Sequence, residues 1–232
     1  MTKLVLRNDS EGVATLTLNR PEKRNALSHA LFHELDRHVT ALAAAAKEIG
    51  AVILRAEGPT FCAGMDLSER GLPLPRANFQ AKIVTALATL PQPVIVAVQG
   101  GCFTGGLELA LAGDIIIAAD NAYFADTHGK YGFVPIWGMS QRLPRRVGQW
   151  KAREMSFTGI PVAAEEALRI GLANQVVPAD ELDARAAAMA ATIVAQNRRS
   201  VLAYKKLYQE QADLALEPGL AHEVYGRADP EA

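Results

Sequence analysis

Residues 99–114, QGGCFTGGLELALAGD, follow the apolar run PVIVAV at residues 93–98. That run has the length and composition of a buried strand. The glycines after it let the backbone turn tightly and approach a neighbouring group closely. A helix starting near Gly106 would point its free backbone N–H groups at that neighbour. The stretch therefore predicts a site for an anion or oxyanion, with the carboxylate of Glu108 beside it.

A second loop of the same kind follows the apolar run AVILR at residues 51–55 and reads AEGPTFCAGMDL, residues 56–67. Each loop delivers backbone N–H groups where a strand ends. Two such groups that converge on one carbonyl oxygen stabilise the negative charge that develops there during a reaction. Taken singly, a glycine after a strand is more often only a turn. The informative feature is therefore the pair of loops.

Length, charge and cysteine content limit the classes of function. The 232 residues, half of them apolar, suit one large domain or a core with a small appendage. A formal charge of −1, with Lys and Arg spread along the chain, argues against a nucleic-acid partner. Two cysteines without metal-ligand spacing indicate a reducing compartment. No signal region or membrane-spanning run is found, so we expect a soluble, cytoplasmic protein without a membrane partner.

Strands and helices alternate along the first part of the chain. Short strands are expected at 3–7, 13–19 and 114–119, and helices at 29–47, after the N-cap Ser28, and at 77–90. Residues 120–138 show no regular pattern, and helical signals alone follow from Met139. This order predicts an α/β core over residues 1–177 and a helical section over residues 178–232.

Five motifs then carry a resemblance to a known family. They are LNRPEKRNAL (18–27), TFCAGMDL (60–67), PVIVAVQG (93–100), TGGLELALAGDIIIA (104–118) and GMSQRLPRRVG (138–148). Their order and spacing resemble the crotonase superfamily, the enoyl-CoA hydratase and isomerase family, from about Leu4 to Val177. The resemblance implies a spiral of ββα units, with C-terminal helices that assemble trimers or hexamers. It also implies an acyl-CoA thioester substrate, with coenzyme A as part of that substrate and no separate cofactor or metal.

The resemblance also assigns roles to individual residues. It implies that the backbone N–H groups of Met65 and Gly105 form an oxyanion hole for the thioester oxygen, a type of donor worth about 3 kcal/mol each. Thr104 replaces the first of three glycines usual in the family, which leaves the donor at Gly105 untouched. Contacts with the substrate or its CoA moiety are implied at Arg24, Ala26, Ala63, Gly64, Asp66 and Leu67.

Glu108 matches the first of the two glutamates that hydratases of this family use as general acid and base. On the sequence alone, a glutamate in the first turn of a helix is equally explained as a partner of the helix dipole. Its neighbours Leu107, Leu109 and Ala110 are apolar, however, so we expect the carboxylate to be buried. Burial of a carboxylate costs free energy, which favours a functional role for it. We therefore expect Glu108 to be the principal acid/base group.

The second glutamate is absent, and the matching position holds His128, in FADTHGKYGF (124–133). Histidine donates or accepts protons near its ordinary pKa of about 6.5. Glu108 and His128 are therefore predicted to be an acid/base pair. Asp126, two residues before His128, would share its face on an extended segment and could orient it. The alternative is a buried histidine that only packs.

Other side chains give weaker signals. His29 and His33 lie one helical turn apart, but no further ligand joins them, so a metal site is not expected. Cys62 is interpreted as a small buried thiol, and Trp137 as part of the pocket wall or the core. The arginines in RLPRRVG (142–148) could meet phosphates, but such a cluster is more often a solvated or interface surface.

The sequence therefore favours an enzyme that adds water to, or removes it from, a 2-enoyl-CoA through an enolate-like state. Double-bond isomerisation with one base and C–C bond hydrolysis with a water-activating histidine remain alternatives. A catalytically silent CoA-binding scaffold and an RNA-binding protein are alternatives of other classes. The family's usual final helix covers the CoA site, and we expect it to be missing or replaced, since the sequence ends at EVYGRADPEA (223–232).

Overall fold

The computed structural model describes residues 3–226, and two sheets form the framework of this part of the chain. The strands are β1 (Val5–Ser10), β2 (Val13–Leu18), β3 (Ala51–Ala56), β4 (Val94–Val98), β5 (Gly101–Phe103), β6 (Ile115–Ala119), β7 (Tyr123–Ala125), β8 (Val162–Ala163) and β9 (Gln175–Val177). The larger sheet has the order β1-β2-β3-β4-β6-β9, and the smaller one has the order β5-β7-β8. Only the β1–β2 pair in the larger sheet is antiparallel.

Helices cover both faces of the larger sheet. The α-helices described within residues 3–226 are α1 (His29–Ala44), α2 (Phe79–Ala88), α3 (Gly105–Ala110), α4 (His128–Tyr131), α5 (Met139–Val147), α6 (Gln149–Thr158), α7 (Ala164–Arg169), α8 (Leu182–Val194), α9 (Arg198–Glu210) and α10 (Leu216–Tyr225). The hydroxyl of Ser28 accepts a hydrogen bond from the N–H of Leu31 at 3.2 Å, so this residue caps α1 as predicted.

Strand β4 shows how the larger sheet buries both of its faces. Val94, Val96 and Val98 join the main apolar core with residues of α1, α2 and α3. Ile95 and Ala97 alternate with them and pack instead against α8 on the opposite face. This alternation explains why the run PVIVAV is apolar throughout, as a parallel strand covered on both sides requires.

Two strands of the larger sheet, β4 and β6, each continue into a strand of the smaller sheet and then into a helix. β4 leads directly into β5 and then α3, and β6 leads into β7 and then α4. β5 and β7 pair in parallel, so the two helices that follow them begin side by side. These consecutive β-β-α turns are the predicted spiral, and they bring Glu108 of α3 close to the start of α4.

Two sequence-based predictions of secondary structure were wrong. Residues 120–138 were predicted to be irregular, but they contain β7 and α4. The chain after Met139 was predicted to be helical only, yet β9 forms the last strand of the larger sheet, beside β6. These elements have three or four residues, too few for a periodic pattern, and their pairing with distant strands stabilises them. The division at residue 177 stays a prediction.

A buried lysine connects α9 to the sheet. The ammonium of Lys205 donates to Asp114 Oδ2 at 2.7 Å and to the carbonyl oxygen of Gln92 at 2.8 Å. The same carboxylate oxygen accepts the N–H of Val94 at 2.6 Å. Burial lowers the pKa of Lys205, against the attraction of Asp114. Within residues 3–226, no helix combines the length and apolar character needed to cross a bilayer.

Replacing Lys205 by methionine should lower the free energy of unfolding by about 2 kcal/mol, because two charge-assisted hydrogen bonds are lost. Lys206→Met is the matched control, since Lys206 is more exposed and lies 4.0 Å from Glu210. Its expected effect is within about 0.5 kcal/mol. Urea denaturation measures both variants. Equal stability of the two would show that Lys205 does not anchor α9.

Candidate active site

The two glycine-containing loops meet directly after β3 and β4. Cys62 and Cys102 form a parallel bridge: the N–H of Cys62 donates to Gly101 O at 3.1 Å, and the N–H of Phe103 donates to Cys62 O at 3.0 Å. The next residues also converge, because a Cβ atom on Gly64 would lie 3.4 Å from the backbone nitrogen of Gly105. The structure therefore brings the two predicted donor loops together.

Met65 and Gly105, the predicted hole residues, both line one cavity of about 190 Å³. None of the backbone hydrogen bonds described for residues 3–226 uses the N–H of either residue. Gly105 is the first residue of α3, where N–H groups have no partner within the helix. Neither N–H group is therefore committed to another backbone group in those bonds. Their role as an oxyanion hole stays a prediction.

The glycines of this loop have a packing role that the sequence did not reveal. A Cβ atom on Gly105 would come within 2.3 Å of the indole ring of Trp137, and one on Gly106 within 2.6 Å of the carbonyl oxygen of Cys62. The Trp137 ring is itself held edge-on to Phe32, with ring centroids 5.2 Å apart. Trp137 therefore packs against the predicted donor and forms part of the cavity wall.

Glu108 is buried in the first turn of α3, with its side chain 2% exposed. Its Oε1 atom accepts two backbone hydrogen bonds, from Trp137 at 2.9 Å and from Met139 at 3.1 Å. The carboxylate therefore has one oxygen fixed by the backbone. Its other oxygen, Oε2, lies 3.6 Å from Nε2 of His128.

His128 is the first residue of α4 and lies between two carboxylates. Its Nδ1–H donates to Asp126 Oδ1 at 2.6 Å, and its Nε2 faces Glu108. Burial disfavours the charged ring, but the hydrogen bond to Asp126 and the nearby carboxylate of Glu108 outweigh that effect and raise the pKa of His128 to about 9. The histidine is therefore an imidazolium at neutral pH. The expected titration near 6.5 is displaced upward.

Thr104 connects the donor loop to the segment that carries His128. Its backbone N–H donates to Ala125 O at 2.9 Å, and its hydroxyl is hydrogen-bonded to the hydroxyl of Thr127. Its φ of 49° lies in the left-handed region that a β-branched residue rarely adopts. The replacement of glycine at this position is therefore compensated by side-chain bonds to residues just before α4.

Apolar and aromatic side chains form the rest of the cavity wall. Leu67, Tyr131, Phe133, Val134, Ile136 and Trp137 line it. Arg70 also lines the cavity, with its guanidinium carbon 4.7 Å from the centre of the Phe133 ring. The cavity therefore suits an apolar group placed next to Glu108 and His128.

The predicted substrate contacts group around the first loop. Leu67 lines the cavity, whereas Arg24, Ala26, Ala63, Gly64 and Asp66 do not. They lie close by, since Ala63 N–H donates to Arg24 O at 2.9 Å and Leu27 N–H donates to Gly64 O at 2.8 Å. Their contact with a substrate stays a prediction.

Asp66 is already engaged by protein groups. It forms a 2.5 Å ion pair with Arg20. Burial raises its pKa, but the hydrogen bonds from Ser68 and Arg20 outweigh burial and lower the pKa of Asp66 to about 2. A direct ionic contact between Asp66 and a substrate would therefore compete with this pair.

Asn25 is a buried residue of this region that the sequence did not single out. Its amide nitrogen donates to Glu57 O at 2.9 Å and to Thr60 O at 2.8 Å, and its Oδ1 accepts the N–H of Arg20 at 2.8 Å. Asn25 therefore joins the motif at residues 18–27 to the first loop. Its place in that motif, directly after Lys23 and Arg24, was the only signal in the sequence.

Other singled-out side chains do not belong to the site. Cys62 is fully buried, and burial raises the pKa of its thiol to about 12, as expected for a structural cysteine. No group of three or more His, Cys, Asp or Glu residues among residues 3–226 is arranged to hold a metal. Arg142 donates to Trp137 O at 2.6 Å, and Arg146 to Leu172 O at 2.9 Å, so both support loops.

Comparison with known proteins identifies the family. A family model described as Enoyl-CoA hydratase/isomerase matches residues 8–227. The Arabidopsis thaliana protein named "Probable enoyl-CoA hydratase 1, peroxisomal" is 34% identical, over 95% of this chain and 86% of its own length.

Two solved structures are also similar. An enoyl-CoA hydratase from Mycobacterium avium superimposes with a TM-score of 0.79 at 45% identity, covering 96% of this chain and 95% of its own. An enoyl-CoA hydratase from Bacillus anthracis reaches a TM-score of 0.90 at 33% identity, covering 97% and 89%.

Gly105→Ala should lower the free energy of unfolding by about 1–3 kcal/mol, because the added methyl group would overlap the Trp137 ring. Gly219→Ala in α10 is the matched control: a Cβ atom there meets nothing within 4 Å. That control should be neutral or stabilising by up to about 1 kcal/mol. Thermal and urea unfolding measure both. A Gly105 variant as stable as the control would show that Trp137 can move away freely.

Proposed function

The chain belongs to the enoyl-CoA hydratase/isomerase family, and we propose that it adds water across the double bond of a 2-enoyl-CoA thioester, and removes it in the reverse direction. The single observation that carries this proposal is the close approach of Glu108 and His128 in the cavity that Met65 and Gly105 also line. Hydration needs a base for water, an acid for carbon and donors for the thioester oxygen. These groups supply all three.

The backbone donors act on the thioester carbonyl. As a nucleophile adds at C3 of the enoyl group, negative charge collects on the thioester oxygen and forms an enolate-like state. The N–H groups of Met65 and Gly105 stabilise that charge without reorganising, in a cavity with mostly apolar walls. The side chain at position 65 takes no part in this step.

Glu108 and His128 divide the proton transfers between them. Oε1 of Glu108 is occupied by two backbone N–H groups, so Oε2 is the oxygen that accepts a proton from water. The pKa of His128 is about 9, so Nε2 carries a proton at neutral pH and donates it to C2. Glu108 Oε2 then returns its proton to Nε2, 3.6 Å away, and the pair is restored.

The atoms balance without a redox partner. One O–H bond of water breaks, a C3–O bond and a C2–H bond form, and the C2–C3 double bond becomes single. Because no electrons leave or enter the substrate, we infer that the reaction requires no cofactor. Coenzyme A participates as part of the substrate.

The charge on His128 also bears on the alternatives. A histidine that activates water for C–C bond hydrolysis needs a free lone pair on Nε2, and the imidazolium has none at neutral pH. Double-bond isomerisation needs one base, a role that Glu108 could fill alone. The direct approach of His128 to Glu108 favours hydration over the one-base reaction, since it places an acid at the same carbons.

We also propose an oligomeric assembly and a cellular location. Family membership and the exposed apolar side chains of Trp150, Phe157 and Ile160, which are 79%, 82% and 64% exposed, support a homotrimer or hexamer. Analytical ultracentrifugation distinguishes these states from a monomer. Two free, buried cysteines support a reducing, cytoplasmic location.

The wild-type protein should hydrate at least one member of a panel of 2-enoyl-CoA esters, seen as loss of the conjugated thioester absorbance. Glu108→Gln should lower kcat by about 10²–10⁴-fold, because it removes the base. The control Glu165→Gln replaces an exposed carboxylate on α7 and should leave kcat unchanged. Circular dichroism checks the fold of both. Binding without turnover by the wild type would identify a scaffold; full turnover by Glu108→Gln would assign that carboxylate a structural role only.

The rate of hydration should fall as the pH rises through about 9, because the pKa of His128 is raised to about that value and its protonated form is the acid. The activity should therefore be retained from pH 7 to about pH 8. The pH dependence of kcat measures this limb, and His128→Glu should move or abolish it while keeping a second acid/base group. A limb near 6.5 would contradict a histidine held between two carboxylates.

A further inference from the structure

Asp126 is a buried carboxylate on the side of His128 that faces away from Glu108. Its side chain is 3% exposed. Oδ1 accepts the ring Nδ1–H of His128 at 2.6 Å and the backbone N–H of the same residue at 3.2 Å. Oδ2 accepts the hydroxyl proton of Ser156 at 2.7 Å. Both oxygens of this carboxylate are therefore used inside the protein.

Neither Asp126 nor Ser156 lines the cavity beside Met65 and Gly105. Both border a second cavity of about 550 Å³, and His128 borders both cavities. His128 and Phe133 thus lie where the two cavities adjoin, with Glu108 lining the first cavity and Asp126 the second. The hydrogen bond between Asp126 and the ring of His128 is therefore the direct connection from this carboxylate to the acid/base pair in the first cavity.

The hydrogen bond to Asp126 determines which ring nitrogen faces the reaction. Because Nδ1–H is bonded to Oδ1, the ring cannot flip without breaking that bond, and Nε2 stays directed at Glu108. A carboxylate in this position also stabilises the protonated ring. The two effects together present an acidic Nε2–H group to the first cavity.

The hydroxyl of Ser156 fixes the carboxylate of Asp126 by a hydrogen bond. Asp126 lies in the short link between β7 and α4, whereas Ser156 belongs to α6, which packs beside α4. The serine hydroxyl is a neutral donor, so it restrains Oδ2 without cancelling the charge of the carboxylate. Burial raises the pKa of Asp126, but the bonds from His128 and Ser156 outweigh burial and lower it.

We propose that Asp126 and Ser156 are positioning residues that direct Nε2–H of His128 at the reacting carbons. They fix the orientation of the histidine that stands where the family has its second glutamate. The proposal rests on the proposed hydration reaction. Within the described residues, five charged or titratable side chains border the two cavities beside His128: Glu108, Asp126, Arg70, Tyr131 and Arg153. Asp126 alone of these is hydrogen-bonded to the ring.

The first test is Asp126→Asn, which keeps the shape of the side chain and removes its charge. We expect kcat to fall by about 10- to 100-fold, as for lost outer partners of a functional histidine, with KM within a few-fold. The high-pH limb of kcat should move to lower pH, because the protonated ring loses its strongest partner. Asp120→Asn, an exposed aspartate at the end of β6, is the matched control and should change neither quantity.

Ser156 offers a second variant with a smaller perturbation. Ser156→Ala should lower kcat several-fold and shift the limb in the same direction, and Ser156→Thr should restore both by returning the hydroxyl. If Asp126→Asn does not fold, as judged by circular dichroism, the serine pair still tests the proposal. Unchanged kcat and pH dependence in a folded Asp126→Asn or Ser156→Ala variant would overturn it.

A double-mutant cycle separates positioning from general damage. In a His128→Ala background, Asp126→Asn should cause no further loss of kcat, because its effect passes through the missing ring. An equal loss in both backgrounds would show that Asp126 is only structural.

NMR distinguishes failure of this proposal from failure of the proposed function. In the free protein, ¹⁵N NMR reports the protonation and tautomer of His128. The titration of the ring should move to lower pH in Asp126→Asn even if no enoyl-CoA is hydrated by the wild type. An inactive wild type with this shift would reject hydration and retain the positioning role, whereas an unshifted ring would reject the positioning role.

Discussion

The two backbone N–H groups that bind Oε1 of Glu108 determine the arrangement of the whole site. They come from Trp137 and Met139, on the segment that returns from α4 to α5. The bonds place the Trp137 ring against Gly105 and leave Oε2 of Glu108 facing His128. One buried carboxylate thus connects the donor loop, the cavity wall and the acid/base pair. A buried carboxylate is tolerated here because the protein satisfies it with hydrogen bonds.

Much of the fold could be predicted because its longer elements have clear patterns. The apolar strands of the larger sheet and the leucine spacing of α1 were recognisable from the sequence. The short elements β7, β9 and α4 were not, because three or four residues carry no period and depend on distant partners for stability. The spiral itself was implied by the resemblance to the family that the five motifs carry, and not by local propensity.

The site could be predicted as a set of residues but not as a geometry. Motif order located Gly105, Glu108 and His128, and the structure gathers them at one cavity. The sequence could not reveal that Gly105 is required by an aromatic ring 32 positions away, or that Ser156 binds Asp126. Both contacts join elements that only the spiral brings together. The raised pKa of His128 depends on the hydrogen bond to Asp126 and on the carboxylate of Glu108, which the fold brings beside the ring from 20 positions away.

The bond between the hydroxyls of Thr104 and Thr127 has an evolutionary consequence. A threonine with positive φ costs about 1–3 kcal/mol of backbone strain, which glycine would avoid. Thr104 is tolerated because its hydroxyl is bonded to both the hydroxyl and the backbone N–H of Thr127. Loss of the Thr127 hydroxyl would remove the side-chain part of this compensation and leave the backbone strain. Positions 104 and 127 are therefore expected to covary among relatives. A relative with glycine at position 104 has no strain to offset, so selection on position 127 should be relaxed there. A departure from the family's glycine pattern at position 104 is therefore best interpreted together with the residue at position 127.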